Sequence, residues 1–238
     1  MLSENQIKNY FDDGYLILNN FLDKETLDDL KLTANQMIED FKKDKEIFIR
    51  DKKRNISQHG KMFLGNRCED YPKLEKFTKG KFIKSFCNNI LGDTIYLFNE
   101  QIVNKEPNTQ STFAWHQDSG YVEHEHKAYL SVWIALCDIT KDNGALRISP
   151  INLNDNQEIK DHTWSETTSE LSIEVDEQST ISCELNEGDA VLFSNKTPHA
   201  SYSNLSDKNR PAYLCQYSSE PIIPPEGSNK KFRSEFIR

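Results

Sequence analysis

The sequence predicts a mainly β protein with flanking α-helices, built on a double-stranded β-helix core of the jelly-roll or cupin type. Helical periodicity dominates the first part of the chain, and about eight short strand patterns separated by turn signals follow it. No internal repeat and no linker rich in Gly, Ser or Pro divides the chain. We therefore expect a single domain over residues 1–238, with helical support over roughly 1–93 and a β-barrel core over roughly 94–220.

The N-terminal part is predicted to fold as helix, strand, helix, with a further helix before the main strands. Asp23 is a good N-cap, followed by an acidic first turn, for the second of these helices. The predicted elements are a helix over 4–12, a strand over 15–18, a helix after Asp23 and a helix over 82–91. The segment 42–53, rich in Lys and Asp, is expected to be a solvated face or a mobile loop.

From residue 94 onward, short apolar segments bounded by turn residues indicate strands. The predicted strands cover 95–103, 112–117, 129–136, 145–148, 170–175, 179–185, 189–193 and 212–218.

The chain is acidic, with 29 Lys and Arg against 38 Asp and Glu and a formal net charge of −9. Such a chain repels a phosphate backbone, so nucleic acid is not an expected partner. No apolar run approaches the roughly 18 residues of a membrane span, and residues 1–5 lack the pattern of a signal peptide. Five widely spaced cysteines without a Cys-x-x-Cys pair favour a reducing compartment, so a soluble cytoplasmic protein is expected.

The segment Trp115-His116-Gln117-Asp118 places an imidazole and a carboxylate two residues apart. On a strand, such side chains point to the same face about 6–7 Å apart, so His116 and Asp118 can converge on one ion. His199, which follows a predicted strand, supplies a third ligand, and two histidines with one carboxylate form the facial triad of non-haem iron sites. Taken alone, the His-x-Asp pair could equally be two polar residues of a surface strand that face water.

Arg210 opens the last predicted strand region, where period two places it on the same face as Ala212 and Leu214. An unpaired buried charge is costly, so an Arg on this face needs an anion, and a ligand carboxylate held by the guanidinium fork would satisfy it. The alternatives are an Arg at the barrel rim or one paired with Asp189. Three candidate metal ligands in the same chain favour the ligand carboxylate.

The order His116-x-Asp118, His199 and Arg210 resembles that of the phytanoyl-CoA dioxygenase family of Fe(II)- and 2-oxoglutarate-dependent oxygenases. Further segments similar to the family lie at 11–16, 98–107, 133–136, 142–146 and 188–193, so the resemblance runs from about residue 4 to about residue 220. At 149–152, Ser-Pro-Ile-Asn stands where relatives often carry Pro-Gly-Ser-His. That loop lies on the substrate side, so the substrate of a relative is not carried over.

The resemblance implies that His116, Asp118 and His199 hold Fe(II) and that 2-oxoglutarate and O2 are co-substrates. The residues that it implies for binding 2-oxoglutarate are Arg210, Ser201, Gln101, Trp133 and Lys61. The match at Lys61 is loose, and an ordinary surface lysine is the alternative there.

The family reaction converts 2-oxoglutarate to succinate and CO2 and hydroxylates an unactivated C–H, here expected to belong to a small molecule such as an amino acid or a biosynthetic metabolite. Asp118 favours a hydroxylase over a halogenase, because related halogenases leave the carboxylate position to a small residue so that chloride can bind iron. Tyr121, Arg147 and His126 are expected substrate contacts, with an outward-facing salt bridge as the alternative for Arg147. Desaturation, cyclisation or epimerisation at the same iron, and a non-catalytic jelly-roll binding module, stay open.

Overall fold

The computed structural model describes residues 1–44, 55–110, 112–122, 124–155, 157–224, 226 and 234–237, so most of the predicted segment 42–53 lies outside the described residues. The helices are α1 (Glu4–Asp13), α2 (Lys24–Lys43), α3 (Pro72–Thr78) and α4 (Lys81–Leu91). The strands are β1 (Tyr15–Leu18), β2 (Asn55–Gln58), β3 (Lys61–Gly65), β4 (Tyr96–Lys105), β5 (Phe113–His116), β6 (Tyr129–Ala135), β7 (Leu146–Ile148), β8 (Thr163–Ser165), β9 (Glu170–Ser172), β10 (Ile181–Cys183), β11 (Ala190–Ser194), β12 (His199–Ser201), β13 (Arg210–Ser218) and β14 (Glu235–Phe236).

The helix boundaries follow capping signals. Asp23 accepts a hydrogen bond from the Thr26 amide at 2.7 Å and caps α2, as predicted. Helix α3 was not predicted, because its 7 residues are too few to show a helical period, although Pro72 stands at its start. In the described part of the chain, no helix combines the length and the apolar character needed to cross a bilayer.

The larger sheet has the strand order β1-β11-β6-β13-β4-β3-β2, with β14 paired along β4, and its neighbouring strands are antiparallel. The main hydrophobic core joins one side of this sheet to the buried faces of the helices. The predicted division at residue 93 is not how the sheet is built, since β1, β2 and β3 come from the N-terminal part and β14 from the C-terminal end.

The smaller sheet has the order β10-β7-β12-β5 and is antiparallel throughout. A second apolar cluster, drawn from β6, β11 and β13 of the larger sheet and from β7 and β10 of the smaller one, fills the space between the two. The predicted double-sheet core is confirmed, but it consists of two open sheets and not of a closed barrel. A cavity lined by residues of both sheets lies between them.

Candidate functional site

Three potential metal ligands meet where β5 ends and β12 begins. His116 is the last residue of β5, His199 is the first of β12, and the two are directly paired across the smaller sheet. Asp118 lies in a 3₁₀ turn just after β5, so the two residues of the His-x-Asp pair do not share one strand, contrary to the expectation from strand alternation. Its Oδ1 is 3.7 Å from His116 Nε2 and 3.6 Å from His199 Nε2, and one ligand atom from each residue lies within 4.8 Å of the others. These three side chains can therefore hold a metal ion.

Backbone carbonyls orient both imidazole rings. His116 Nδ1 is 2.8 Å from the Ala114 carbonyl oxygen, and His199 Nδ1 is 3.0 Å from that of Thr197. A carbonyl accepts a hydrogen bond, so each ring donates through Nδ1 and leaves the Nε2 lone pair for a metal. Burial and the neighbouring His199 lower the pKa of His116 well below its ordinary value, which keeps this ring neutral and able to act as a ligand.

The carboxylate of Asp118 is held from the opposite side by the larger sheet. Its Oδ2 accepts hydrogen bonds from Ser131 Oγ at 2.8 Å and from Gln216 Nε2 at 2.8 Å. Gln216 Oε1 accepts in turn from Asn99 Nδ2 at 2.9 Å. Ser131, Gln216 and Asn99 are cross-strand partners on β6, β13 and β4, so the sheet register fixes this chain of contacts. With Oδ2 engaged, Oδ1 is the oxygen that faces the histidines.

Three buried basic side chains, which we call the cation row, lie side by side across the larger sheet. Lys61 of β3 is paired with Lys105 of β4, which is paired with Arg210 of β13, and each residue is 2% exposed. The Arg210 guanidinium lies 5.4 Å from the Trp133 ring, and its Nε and Nη1 have no hydrogen-bond partner among the described residues. A buried donor without an acceptor is costly, so this end of the site fits an added anion.

The two lysines of the row differ in their partners. Lys61 forms an ion pair with buried Glu170 and donates to the Thr112 carbonyl at 3.0 Å, so it is not the surface lysine that the sequence left open. Lys105 donates to the Tyr202 carbonyl. Burial, with the charges of Arg210 and Lys61 nearby, lowers the pKa of Lys105 to about 6.

One cavity of about 770 Å³ joins the metal ligands to the cation row. A volume of this size is typical of sites for drug-sized ligands. Of the predicted site residues, the cavity is lined by His116, Asp118, His199, Arg210, Ser201, Gln101, Trp133, Lys61 and Tyr121. Gln101 and Trp133 both stand opposite Leu214 of β13, so the register places them in one row beside the metal ligands.

Arg147 and His126 lie outside this cavity. Leu146 of β7 lines the cavity, and alternation turns Arg147 to the opposite face, where it forms an ion pair with Glu177 and stacks 4.8 Å from the Trp115 ring. His126 lies in a separate, smaller cavity with its Nε2 3.2 Å from Ser119 Oγ. Both positions argue against the predicted substrate contacts, and for Arg147 the structure has the salt bridge that was the alternative.

Sequence reasoning missed Lys105, Glu170 and Gln216 as site residues. Lys105 lies beyond the end of the strand predicted over 95–103, whereas β4 extends to include it. Continuing the alternation of Gln101 and Val103 by one step would have placed Lys105 on the cavity face. No local pattern marks Glu170, because its partner Lys61 is 109 residues away in the chain.

Fold and site together define a metal-binding double-stranded β-helix protein, with two histidines and a carboxylate between its sheets and a buried arginine beside them. The chain belongs to the phytanoyl-CoA dioxygenase (PhyH) family, whose family model matches residues 10–212. It is similar to the phytanoyl-CoA dioxygenase domain-containing protein 1 homolog of Dictyostelium discoideum, with 23% identity over 91% of this chain and 91% of that protein.

Solved structures share the fold over nearly the whole chain. EvdO2 from Micromonospora carbonacea var. aurantiaca, complexed with 2-oxoglutarate, is 20% identical, with a TM-score of 0.74 over 95% of this chain and 96% of that one. The non-heme alpha ketoglutarate dependent epimerase SnoN from nogalamycin biosynthesis is 16% identical, with a TM-score of 0.73 over 99% and 98%. At such identities the likeness concerns the fold, which is that of the iron- and 2-oxoglutarate-dependent oxygenases.

Proposed function

We propose that this protein is an Fe(II)- and 2-oxoglutarate-dependent dioxygenase that hydroxylates an unactivated C–H of a small molecule and releases succinate and CO2. One observation carries the proposal: a single cavity contains three convergent metal ligands and, beside them, a buried guanidinium with two nitrogens that have no acceptor in the described part of the chain. 2-Oxoglutarate fits both features, because it carries one carboxylate next to a keto oxygen and a second carboxylate at its far end.

In this proposal His116, Asp118 and His199 hold Fe(II) through His116 Nε2, Asp118 Oδ1 and His199 Nε2. The bound iron supplies the oxidising chemistry, with O2 and 2-oxoglutarate as the other reactants. The protein's own side chains position the ligands: the carbonyls of Ala114 and Thr197 set the two rings, and Ser131 and Gln216 set the carboxylate.

The far carboxylate of 2-oxoglutarate is assigned to Arg210, with Lys105 beside it. Gln101, Trp133 and Ser201 line the path between this anchor and the metal ligands. Lys61 faces the same cavity, but its charge is balanced by Glu170, so we assign it a place in the wall and not the principal anchor. Tyr121 stays a proposed substrate contact, because its ring lies 5.6 Å from the His116 ring and lines the cavity.

Hydroxylation is favoured because the carboxylate of Asp118 occupies the position that a halogenase leaves to chloride. The same site could instead catalyse desaturation, cyclisation or epimerisation, and SnoN is an epimerase of this fold. Product mass separates these outcomes: hydroxylation adds one oxygen atom, desaturation and oxidative cyclisation each remove two hydrogen atoms, and epimerisation leaves the mass unchanged.

The direct test supplies purified protein with Fe(II), ascorbate and 2-oxoglutarate and measures succinate, together with the thermal shift caused by Mn(II) plus N-oxalylglycine. The proposal predicts slow succinate formation without substrate and a rise in melting temperature, both lost in His199→Ala. Absence of both responses in the wild-type protein would overturn it. A non-catalytic binding module predicts instead that Asp118→Ala keeps its ligand affinity and that no succinate forms.

We also propose that the protein is located in a reducing compartment, the cytoplasm. All five cysteines carry free thiols, and four of them are buried. Free thiols are typical of proteins from reducing compartments.

A further inference from the structure

The cavity continues past the metal ligands, away from the cation row. The inward residues of β4 follow its length from Lys105, through Val103 and Gln101, to Asn99, which contacts Gln216 beside Asp118. Beyond this point the walls are apolar or aromatic. We call this part the distal chamber, and it is lined by Phe98, Val122 and Tyr129, which also pack together. It is the part of the cavity that iron and 2-oxoglutarate would leave for a substrate.

The distal chamber has no charged side chain among its described lining residues. Among the described residues that line the cavity, the charged ones are Lys61, Lys105, Asp118, Glu170 and Arg210, and all of them belong to the cation row, its ion pair or the metal ligands. A carboxylate, phosphate or ammonium group in the chamber would therefore lose its hydration without gaining an opposite charge from the described residues, which disfavours its binding.

Asn66 offers polar recognition at the chamber wall. Asn66 follows β3, and its Oδ1 is buried without a hydrogen-bond partner among the described residues. Its backbone has a φ of 57°, a left-handed conformation that Asn tolerates. Its backbone N–H donates to the Glu100 carbonyl at 2.9 Å, which holds the residue in place. A buried acceptor of this kind is satisfied by a ligand that brings a donor.

We propose, on the basis of the proposed function, that the substrate is an uncharged molecule with an apolar ring system or chain and a hydroxyl or N–H group that donates to Asn66 Oδ1. Aromatic walls suit this class, since the Phe98 and Tyr129 rings lie 5.0 Å apart and present apolar surface. Free amino acids and coenzyme A thioesters are outside it, because both carry charges that the chamber does not match.

The test uses three probes that share a naphthalene ring and differ in the charge of their polar group. They are 1-naphthylmethanol, the anion of 1-naphthaleneacetic acid and 1-naphthylmethylammonium. Each is added to protein that is saturated with Mn(II) and N-oxalylglycine. Affinities are measured by calorimetry or saturation-transfer NMR. The alcohol is expected to bind at least tenfold more tightly than either ion. Equal or tighter binding of an ion would overturn the inference.

Two variants locate the binding. Asn66→Gly keeps the left-handed backbone and removes the acceptor, so the affinity for 1-naphthylmethanol should fall about three- to tenfold, whereas 1-methylnaphthalene, which has no donor, should bind unchanged. Phe98→Leu removes one of the two aromatic rings and should weaken both probes; Leu205→Ala, at an exposed apolar residue outside the cavity lining, should change neither. If Asn66→Gly lowers the affinity for 1-naphthylmethanol and for 1-methylnaphthalene by the same factor, Asn66 is not the acceptor and this part of the proposal is wrong.

The two levels of the proposal fail separately. If N-oxalylglycine does not bind to the Mn(II) protein, the proposed function fails and the chamber loses its role as a substrate site. If N-oxalylglycine binds but 1-naphthylmethanol does not, the oxygenase assignment stands and only the substrate class is wrong.

Discussion

At the scale of single residues, the burial of Lys105 and Arg210 lowers stability, and a bound anion would reduce this cost. The two residues are neighbours on adjacent strands, both almost fully buried, and Arg210 Nε and Nη1 have no acceptor among the described residues. Buried basic groups of this kind are typical of binding sites, where function requires them although they lower the stability of the protein. Replacing a basic residue of the row by an apolar one should therefore raise the stability of the protein and lower its affinity for an anionic ligand.

Lys105→Met tests this opposition. Methionine has nearly the volume of lysine without its charge, so the free energy of unfolding should rise by about 1–3 kcal/mol at pH 7. The gain should be larger at pH 6.5 than at pH 9, because the folded-state pKa of about 6 lies below the ordinary 10.5 and the cost of burying this lysine shrinks as pH rises between those values. Urea unfolding at the two pH values measures it, and the variant should bind N-oxalylglycine at least tenfold more weakly. A variant that is both less stable and equally tight in binding would contradict the assignment.

The same lysine predicts a pH dependence of co-substrate binding. A carboxylate beside Lys105 raises its pKa above the value of about 6 in the free protein, so binding takes up a proton. Affinity of the Mn(II) protein for N-oxalylglycine should therefore fall as pH rises above about 6. Calorimetry in buffers of different ionisation enthalpy counts the protons, and Lys105→Met should show no uptake. Equal uptake in both proteins would assign the proton to another group.

Gln216 offers a test of how the carboxylate ligand is positioned. Gln216→Met keeps the length of the side chain and removes the donor to Asp118 Oδ2. Loss of such a contact to a metal ligand is expected to lower metal affinity about 10- to 100-fold. Mn(II) titration measures it. Arg210→Met serves as the control, since it should weaken N-oxalylglycine and leave Mn(II) affinity unchanged.

At the scale of elements, the turn before β7 controls the space at the anchor. Gly144 has a φ of 103°, and a Cβ there would lie 2.9 Å from Lys105 Cδ and 3.5 Å from Arg210 Nε. The position thus disfavours a side chain for two reasons: its left-handed backbone conformation, and the close contacts that a Cβ would make with Lys105 Cδ and, at 3.1 Å, with the Tyr202 carbonyl oxygen. The anchor depends on this close approach.

Gly144→Ala is expected to lower the free energy of unfolding by about 1–2 kcal/mol and to weaken N-oxalylglycine binding severalfold. Gly92→Ala is the matched control: its φ is 84°, but nothing lies within 4 Å of an added Cβ. Both variants should lose stability, and only Gly144→Ala should lose affinity. Equal affinity in the two would show that the anchor does not depend on the turn.

The strand pattern shows which elements sequence can reveal. The long central strands β4, β6 and β13 were predicted because their segments are apolar over many residues. The β2–β3 hairpin was not, because its turn is formed by His59 and Gly60, both with positive φ, and His59 is not one of the usual residues for that turn.

At the scale of the whole molecule, the site exists because two sheets face each other. The smaller sheet brings the two histidines into register, and the larger sheet brings the cation row and the contacts to Asp118. The order of His116, Asp118, His199 and Arg210 along the chain, together with the family resemblance, was enough to predict that these residues share one site. It could not predict the chain of contacts through Gln216 or the pairing of Lys61 with Glu170, since these depend on register and on a contact across 109 residues.

Net charge is a poor guide to the cavity. The chain carries −9 overall, yet the row within the site places three basic side chains beside the single carboxylate of Glu170. Overall charge describes the surface and the field around the molecule, whereas the site depends on buried groups. An anionic co-substrate is therefore compatible with an acidic protein.

The central claim is that one cavity binds iron and 2-oxoglutarate together, through His116, Asp118, His199 and Arg210. The most direct measurement adds 2-oxoglutarate to the Fe(II) protein without oxygen and follows the visible charge-transfer absorption of the chelate. The account predicts that this absorption appears in the wild-type protein, is abolished in His199→Ala and needs much higher 2-oxoglutarate in Arg210→Met. No absorption in the wild-type protein at saturating 2-oxoglutarate, or an unchanged titration in Arg210→Met, would contradict it.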